Sequence, residues 1–206
     1  MSTLIGKQAP DFKAMGLVKD SFKEVSLAEF RGKKKVVLFF YPADFTFVCP
    51  TEILAFSDAI DHFWKRNTVV LGISVDSIYS HHAWARVDRK AGGIKGVSFP
   101  LLSDPRREIS ADYGVLLEEA GTALRGLFII NAKGILKHLS INYNDIGRNV
   151  GEVLRILDAI ELSETKGVVC PANWTVGKRA IQPTQEGIEK FAAEAPDPTA
   201  ESPLPA

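Results

Sequence analysis

An unbroken apolar run at residues 36–41 is the feature that most restricts the fold of this chain. The run is rich in β-branched and aromatic residues and shows no alternation of polar and apolar positions, which is typical of a strand in a sheet covered on both faces. Residues 69–75 form a second run of the same kind. A helix is predicted between the two strands, because four apolar residues recur there at helical spacing: Ile53, Phe56, Ile60 and Phe63.

The rest of the chain continues this alternation of strands and helices. Strands at residues 127–130 and 135–141 are predicted to form a hairpin. Two more helices are predicted from apolar spacing, one through His81, Trp84 and Val87 and one with its buried face formed by Val150, Val153, Leu154, Leu157 and Ile160. On the last helix, Glu152, Arg155 and Asp158 are expected to face solvent. The pattern predicts an α/β domain with a central mixed sheet flanked by helices.

Cys49 lies where the first predicted strand ends and the first helix begins. Pro50 suits the first helical position, because its missing N–H would have had no partner inside the helix. Unpaired backbone N–H groups and the positive end of the helix dipole favour the thiolate form of a cysteine placed there. A single cysteine is more often a small buried hydrophobe, but the surrounding prolines, aromatic residues and Thr46 predict a rigid, partly dry pocket around this sulfur.

Residues 40–52 resemble the active-site segment of the typical two-cysteine peroxiredoxins, including the alkyl hydroperoxide reductase C subunits. The segment contains the pattern Pro-x-x-x-Thr-x-x-Cys at Pro42, Thr46 and Cys49. Further family motifs follow in order: Gly114-Val115, residues 125–130, Gly147-Arg148, Leu154-Arg155 and Val169-Cys170-Pro171. The resemblance extends over about residues 4–191 and implies a thioredoxin-like fold.

Three regions are predicted along the chain. Residues 1–165 would form the thioredoxin-like peroxidase domain, and residues 166–194 would form a C-terminal arm that carries Cys170. Residues 195–206 contain four prolines among Ala, Glu and Ser, and such a segment is expected to be a flexible tail because it cannot bury enough apolar surface.

The resemblance implies a thiol-dependent peroxidase that reduces hydrogen peroxide and organic hydroperoxides. Peroxide would convert Cys49 to a sulfenic acid, and Cys170 would then form a disulfide with it. The resemblance places that Cys170 in the partner subunit of a two-fold homodimer, with five dimers often forming a ring, whereas the residues alone leave an intrachain bond open. A thioredoxin or a dedicated flavoprotein would reduce the disulfide, and no cofactor is implied.

The remaining site residues also take their roles from the resemblance. Arg125 would supply a fixed positive charge beside Cys49, although an arginine before an apolar strand is more often a surface ion-pair partner. Thr46 would hydrogen-bond the sulfur or the peroxide, and Pro42 would shield the sulfenic acid. Glu52 would orient Arg125, with Arg148 as a second guanidinium.

Two segments depart from the family pattern. Residues 92–96 read Gly-Gly-Ile-Lys-Gly where peroxide-sensitive relatives have Gly-Gly-Leu-Gly. Residues 189–191 read Glu-Lys-Phe where those relatives have a Tyr-Phe pair on a covering helix. With Lys190 in the place of the tyrosine, we expect a looser cover, faster disulfide formation and resistance to over-oxidation.

Charge and composition argue against several other partners. The chain has 25 basic and 25 acidic residues, so neither nucleic acid nor an anionic membrane surface is expected as a partner. No segment approaches the ~20 apolar residues of a membrane span, and the amino terminus lacks the apolar core of a secretory signal, so a cytoplasmic location is expected. The four histidines show no metal-ligand spacing, and the two distant cysteines match neither a zinc motif nor a dithiol reductase motif.

Two other function classes are compatible with these residues. Ring assemblies of related proteins can act as holdase chaperones that bind unfolding clients. A cysteine hydrolase would instead need a histidine general base close to Cys49, and no histidine occurs within residues 40–52.

Overall fold

A computed structural model describes residues 4–194 of the chain, and the predicted tail at residues 195–206 lies outside that range. The described residues contain nine strands and six α-helices. The strands are β1 (Lys13–Val18), β2 (Ser21–Ser26), β3 (Lys35–Phe40), β4 (Thr68–Ser74), β5 (Leu101–Ser103), β6 (Leu116–Leu117), β7 (Thr122–Ala123), β8 (Arg125–Ile130) and β9 (Leu136–Asn142). The helices are α1 (Cys49–Asp58), α2 (Ile60–Lys65), α3 (Ile78–Trp84), α4 (Glu108–Asp112), α5 (Val150–Lys166) and α6 (Gln185–Ala193). Among these helices, none is both long enough and apolar enough to cross a lipid bilayer.

Seven strands form one mixed sheet in the order β2-β1-β5-β4-β3-β8-β9. The three central strands are parallel to one another: β4 pairs with β3 on one side and with β5 on the other. The flanking pairs β1–β2, β1–β5, β3–β8 and β8–β9 are antiparallel. Strands β6 and β7 pair separately as a small antiparallel ladder. The mixed sheet that the sequence predicted is confirmed.

The central strand β3 is covered on both faces. All six of its residues are buried, and successive side chains point to opposite sides of the sheet. On one side the ring of Phe39 stacks on Phe56 of α1, with 4.7 Å between ring centroids. On the other side the ring of Phe40 lies 5.4 Å from that of Tyr113, which follows α4, and 5.7 Å from that of Phe128. Burial on both sides explains why the β3 sequence is apolar without alternation.

The structure corrects the predicted helices in three places. The helix with Ile53, Phe56, Ile60 and Phe63 on its buried face is interrupted at Ala59, between α1 and α2, although all four side chains are buried. Helix α3 ends at Trp84, so Val87 lies beyond it. Arg155 and Asp158 on α5 are half-buried instead of exposed. The Arg155 guanidinium donates a hydrogen bond to the Trp174 carbonyl at 2.8 Å.

The N-terminal hairpin of β1 and β2 was not predicted from the sequence. Four of the six residues of β2 are exposed, because β2 is the edge strand of the sheet. Its side chains therefore carry no apolar pattern that would indicate a strand.

The chain divides into two compact units at Leu154 and Arg155. The first unit contains the whole sheet. In the second, the backbones of Val169 and Ile181 pair through two hydrogen bonds of 2.9 Å, and α6 follows. The predicted division into a domain at residues 1–165 and an arm at residues 166–194 stays a prediction.

Candidate active site

Cys49 is the first residue of α1, and its side chain is fully buried. The residue that caps the helix is Val48, and Pro50 occupies the second helical position. The sequence placed Pro50 first, so the prediction was wrong by one residue. The first intrahelical bonds run from the amides of Thr51 and Glu52 to the Val48 carbonyl. The sulfur therefore lies in the first turn, where the helix dipole favours negative charge.

Arg125, the first residue of β8, contacts the sulfur directly. Its guanidinium donates to Cys49 Sγ at 3.4 Å and to Glu52 Oε2 at 2.6 Å. Its Nε donates to the Asn144 carbonyl at 2.9 Å. Arg125 is 3% exposed, so the reading of this arginine as a surface ion-pair partner does not hold. Three fixed acceptors hold the guanidinium in one orientation against Cys49.

Glu52 lies between two guanidinium groups. It belongs to the first turn of α1 and is 3% exposed. Its Oε1 accepts from the backbone N–H and the Nε of Arg148 at 2.8 and 2.7 Å. Its Oε2 accepts from Arg125 and from Arg148 at 2.6 and 2.8 Å. The carboxylate therefore contacts both guanidinium groups, and the predicted role of Glu52 in orienting Arg125 stays a prediction.

Arg148 connects this cluster to the sheet. Its guanidinium donates to the carbonyls of Phe40 and Gly126, both at 2.8 Å, and lies 5.0 Å from the centre of the Phe39 ring. Burial lowers the pKa of Arg148, and its hydrogen bonds to Glu52 act in the opposite direction. A guanidinium remains ionised in the working pH range, so Arg148 contributes a full positive charge.

The buried charges around Cys49 do not cancel among themselves. Arg125 and Arg148 bring two positive charges and Glu52 brings one negative charge, which leaves one positive charge in excess. An uncompensated buried charge is costly. A thiolate at Cys49 would neutralise this excess at a distance of 3.4 Å from the Arg125 guanidinium.

Thr46 and Pro42 lie in the segment between β3 and α1, and both are half-buried. The Thr46 hydroxyl donates to the Ala43 carbonyl at 3.0 Å. A hydroxyl has one proton to donate and two lone pairs, so in this arrangement Thr46 can accept a hydrogen bond from a peroxide O–H. The predicted roles of Thr46 and Pro42 stay predictions.

The sequence analysis missed a buried polar network behind the segment that carries Cys49. Asp44 accepts from the Tyr41 hydroxyl at 2.9 Å, and its Oδ2 lies 2.8 Å from His81 Nδ1. His81 Nε2 lies 3.1 Å from the Leu102 carbonyl, which can only accept, so this nitrogen carries a hydrogen. Burial, and next the charge of Asp44, raise the pKa of Tyr41 well above its ordinary value, which keeps the phenol protonated as a donor.

His81 lies on α3, and its burial was not predicted from the sequence. Its side chain is fully buried, as is that of Trp84. The burial of His81 could have been predicted from its spacing of three residues from Trp84 on α3, because residues at this spacing share a helix face.

Cys170 lies in the second unit, after α5. Its side chain is half-buried, and the thiol donates to the Ala159 carbonyl at 3.7 Å. Burial raises the pKa of the Cys170 thiol, and the nearby Arg155 acts in the opposite direction. The thiol form therefore predominates at neutral pH. Both Cys49 and Cys170 are free thiols.

The sequence is similar to those of known proteins. Residues 5–139 match the model of the AhpC/TSA family, and residues 159–193 match that of the C-terminal domain of 1-Cys peroxiredoxin. The chain is 50% identical over 191 residues to thioredoxin peroxidase from Echinococcus granulosus, which covers 93% of this chain and 98% of that protein. It is 52% identical to the mitochondrial thioredoxin-dependent peroxide reductase of Drosophila melanogaster, over 91% of this chain and 80% of that protein.

The fold also matches solved structures. The reduced 2-Cys peroxiredoxin of Plasmodium vivax superposes with a TM-score of 0.91 at 48% identity, over 93% of this chain and all of that chain. The match therefore includes the thioredoxin-like arrangement of the sheet.

Proposed function

Because the chain belongs to the AhpC/TSA family of peroxiredoxins, we propose that Cys49 is the residue oxidised in its peroxidase reaction. The protein is a thiol-dependent peroxidase of the two-cysteine type. The observation that carries the assignment of Cys49 is the excess positive charge that Arg125 and Arg148 leave beside its buried sulfur. That charge favours the thiolate, which is the form that attacks a peroxide.

The chemical step follows from these contacts. The Cys49 thiolate attacks one oxygen of the peroxide, so an S–O bond forms and the O–O bond breaks. Cys49 becomes a sulfenic acid, and the departing oxygen leaves as an alkoxide or hydroxide that takes up a proton. Arg125 stabilises the negative charge as it moves from sulfur to oxygen. Thr46 accepts a hydrogen bond from the peroxide, and Pro42 limits the access of water to the sulfenic acid.

Cys170 then resolves the sulfenic acid. The Cys170 sulfur displaces the hydroxyl of the sulfenic acid, which gives a disulfide and one water. In this proposal the two cysteines belong to different subunits of a homodimer. A dithiol donor of the thioredoxin type, or a dedicated flavoprotein, reduces the disulfide by thiol exchange, and the donor's own dithiol becomes a disulfide. Both hydrogen peroxide and organic hydroperoxides are substrates.

Five dimers joined in a ring are the proposed assembly. Support comes from aromatic side chains on the first unit that are unusually exposed: Phe22 at 39%, Phe45 at 56%, Phe47 at 93% and Tyr79 at 70%. Exposed apolar surface of this kind marks protein contacts. Sedimentation velocity of the reduced protein tests the ring, and a single dimer species at micromolar concentration would refute it.

A cytoplasmic location is also part of the proposal. It is supported by the use of two separated cysteines in a redox cycle, which needs a compartment where disulfides are continually reduced. Subcellular fractionation with an antibody against the protein tests the location.

Stopped-flow oxidation of the reduced protein by hydrogen peroxide, followed by tryptophan fluorescence, tests the function. Wild-type protein should react rapidly, Cys49→Ser should show no rapid phase, and Cys170→Ser should keep the first oxidation but form no disulfide. Slow reaction of the wild type, at the rate of an ordinary thiol, would refute the role of Cys49. Suppression of client aggregation by the Cys49→Ser protein would in that case favour the holdase alternative.

A further inference from the structure

A basic depression on the first unit has no part in the peroxidase site. Seven residues line it: Lys19, Asp20, Ala85, Arg86, Lys95, Gly96 and Val97. We propose that this depression binds a short oligophosphate chain, either as a free anion or as the phosphate chain of a nucleotide.

Unpaired positive charge is the first support for this site. Lys19, Arg86 and Lys95 are exposed and line the same depression, with Asp20 as the only carboxylate among its lining residues. Within residues 4–194, the side chains of the three basic residues form no ion pair and no hydrogen bond. Three positive charges against one negative charge leave an excess of two, which suits a ligand with several negative charges.

The loop that carries Lys95 is held in place, which is the second support. Arg89 Nε donates to the Lys95 carbonyl at 3.0 Å, and its guanidinium pairs with both carboxylate oxygens of Asp58 at 2.9 and 3.2 Å. Gly93 packs so closely that an added Cβ would lie 2.1 Å from the Val87 carbonyl oxygen. A fixed loop loses little conformational entropy when a ligand binds to it.

The Lys19 side of the depression is also a defined turn. Lys19 has a left-handed backbone, with φ of 58°, in the turn between β1 and β2. A two-residue turn of this kind is the tightest connection of a hairpin. The charged groups are therefore presented from short, structured segments, and Lys95 belongs to residues 92–96, one of the two segments that depart from the family pattern.

Size and lining favour the phosphate chain over other anions. The depression has a volume of about 540 Å³, which lies in the usual range for small-molecule sites. Its apolar lining is limited to Ala85, Gly96 and Val97, so it offers no aromatic ring on which a base could stack. Affinity should therefore follow the number of phosphate charges, and a nucleotide should bind through its phosphates alone.

Isothermal titration calorimetry of the reduced, full-length protein at low salt, without divalent metal, tests the proposal. Tripolyphosphate and ATP should bind with similar affinity and AMP much more weakly. ATP binding far more tightly than tripolyphosphate would overturn the charge-based recognition. Binding should weaken as salt is added, because exposed charges are screened.

Charge variants identify the site. Lys19→Gln, Arg86→Gln and Lys95→Gln should each weaken tripolyphosphate binding about two- to fivefold, as expected for loss of one exposed ionic contact. Asp20→Asn should strengthen it. Lys23→Gln removes the same charge from an exposed position on the same hairpin but outside the depression, and it should leave the affinity unchanged.

Two further outcomes would overturn the proposal. One is the absence of saturable tripolyphosphate binding to the wild type. The other is an equal loss of affinity in Lys23→Gln and Lys95→Gln, which would indicate attraction to the general surface charge. Neither outcome depends on the reactivity of Cys49, so a failed peroxidase assignment would be recognised separately.

Discussion

At the scale of single residues, one guanidinium is fixed in position against the Cys49 sulfur. Arg125 contacts the sulfur, a carboxylate and a backbone carbonyl from one buried side chain. A lysine would keep the charge but could not maintain this fork of donors. The sulfur also lies in the first turn of α1, so the helix dipole and Arg125 favour negative charge at the same atom.

Arg125→Lys should therefore slow the oxidation of Cys49 by hydrogen peroxide about 100-fold, which is typical for loss of a donor that stabilises developing charge. The second-order rate constant from stopped-flow fluorescence measures the effect. Arg89→Lys is the matched control, because Arg89 is paired with Asp58 on an exposed surface. A rate constant for Arg125→Lys within twofold of the wild type would contradict the role of the fork.

Tyr41→Phe should destabilise the fold by about 1–3 kcal/mol near pH 8, because Asp44 loses a buried hydrogen bond. Above about pH 10, the ordinary pKa of tyrosine, the unfolded Tyr41 loses its proton while the folded one, whose pKa is raised, keeps it. The free energy of unfolding of the wild type then decreases by about 1.4 kcal/mol per pH unit from this cause. Tyr41→Phe has no phenol at this position and does not show this decrease. Urea denaturation between pH 8 and 11 should show the two curves converging.

The control for this prediction is Tyr79→Phe, since Tyr79 is 70% exposed. Its stability should follow the wild type at every pH. A constant difference between wild type and Tyr41→Phe over the whole range would contradict the linkage to Tyr41.

At the scale of elements, the C-terminal helix α6 carries one of the two departures from the family pattern. Lys190 is exposed, whereas the half-buried Phe191 lies against Arg179, with 4.9 Å between the guanidinium carbon and the ring centre. Arg179 also pairs with Glu194 and donates to the Phe191 carbonyl. The helix is thus held by Phe191, while Lys190 adds no apolar contact of its own.

Lys190→Tyr should raise the fraction of sulfinic Cys49 formed during turnover with peroxide. An added aromatic contact would slow the movement of α6 away from its folded position about two- to tenfold. Disulfide formation would then be slower, so the sulfenic acid would be exposed to peroxide for longer. Mass spectrometry of Cys49 measures the fraction, and Glu189→Gln serves as the control on the same helix. Substantial sulfinic Cys49 in the wild type after modest peroxide exposure would refute the expected resistance.

The sequence predicted some elements better than others for identifiable physical reasons. Strand β3 and helix α1 were predicted because both carry strong apolar patterns, and Cys49 is the first residue of α1. The edge strand β2 lacks such a pattern, because most of its side chains face solvent. The Asp44–His81 pair was not predicted because its members are separated in sequence and meet only when β3 and α3 pack together.

The site itself was predictable to a similar degree. The family motif identified Cys49, Arg125, Glu52 and Arg148, and the structure brings all four together. No sequence pattern could predict how many hydrogen bonds the Glu52 carboxylate accepts, because the donor groups lie on separate parts of the fold. The excess charge beside Cys49 is therefore a result of the fold.

At the scale of the whole molecule, the proposed disulfide between two subunits and an intrachain disulfide make different predictions. Both cysteines are free thiols, with Cys49 in the first compact unit and Cys170 in the second. Cys49 is fully buried at the start of a helix. Disulfide formation therefore requires the Cys49 sulfur to become accessible to a second sulfur, because the two must come within about 2 Å of each other.

Mixing two single-cysteine variants distinguishes the alternatives. Cys49→Ser keeps only Cys170, and Cys170→Ser keeps only Cys49, so neither chain can form an intrachain disulfide. When the two variants are unfolded together, refolded and treated with one equivalent of peroxide, an interchain mechanism should give a covalent dimer on a non-reducing gel. Each variant treated alone is the control and should give much less dimer. If the mixture gives no more dimer than the separate variants, while wild-type protein still loses both thiols, the bond is formed within one chain.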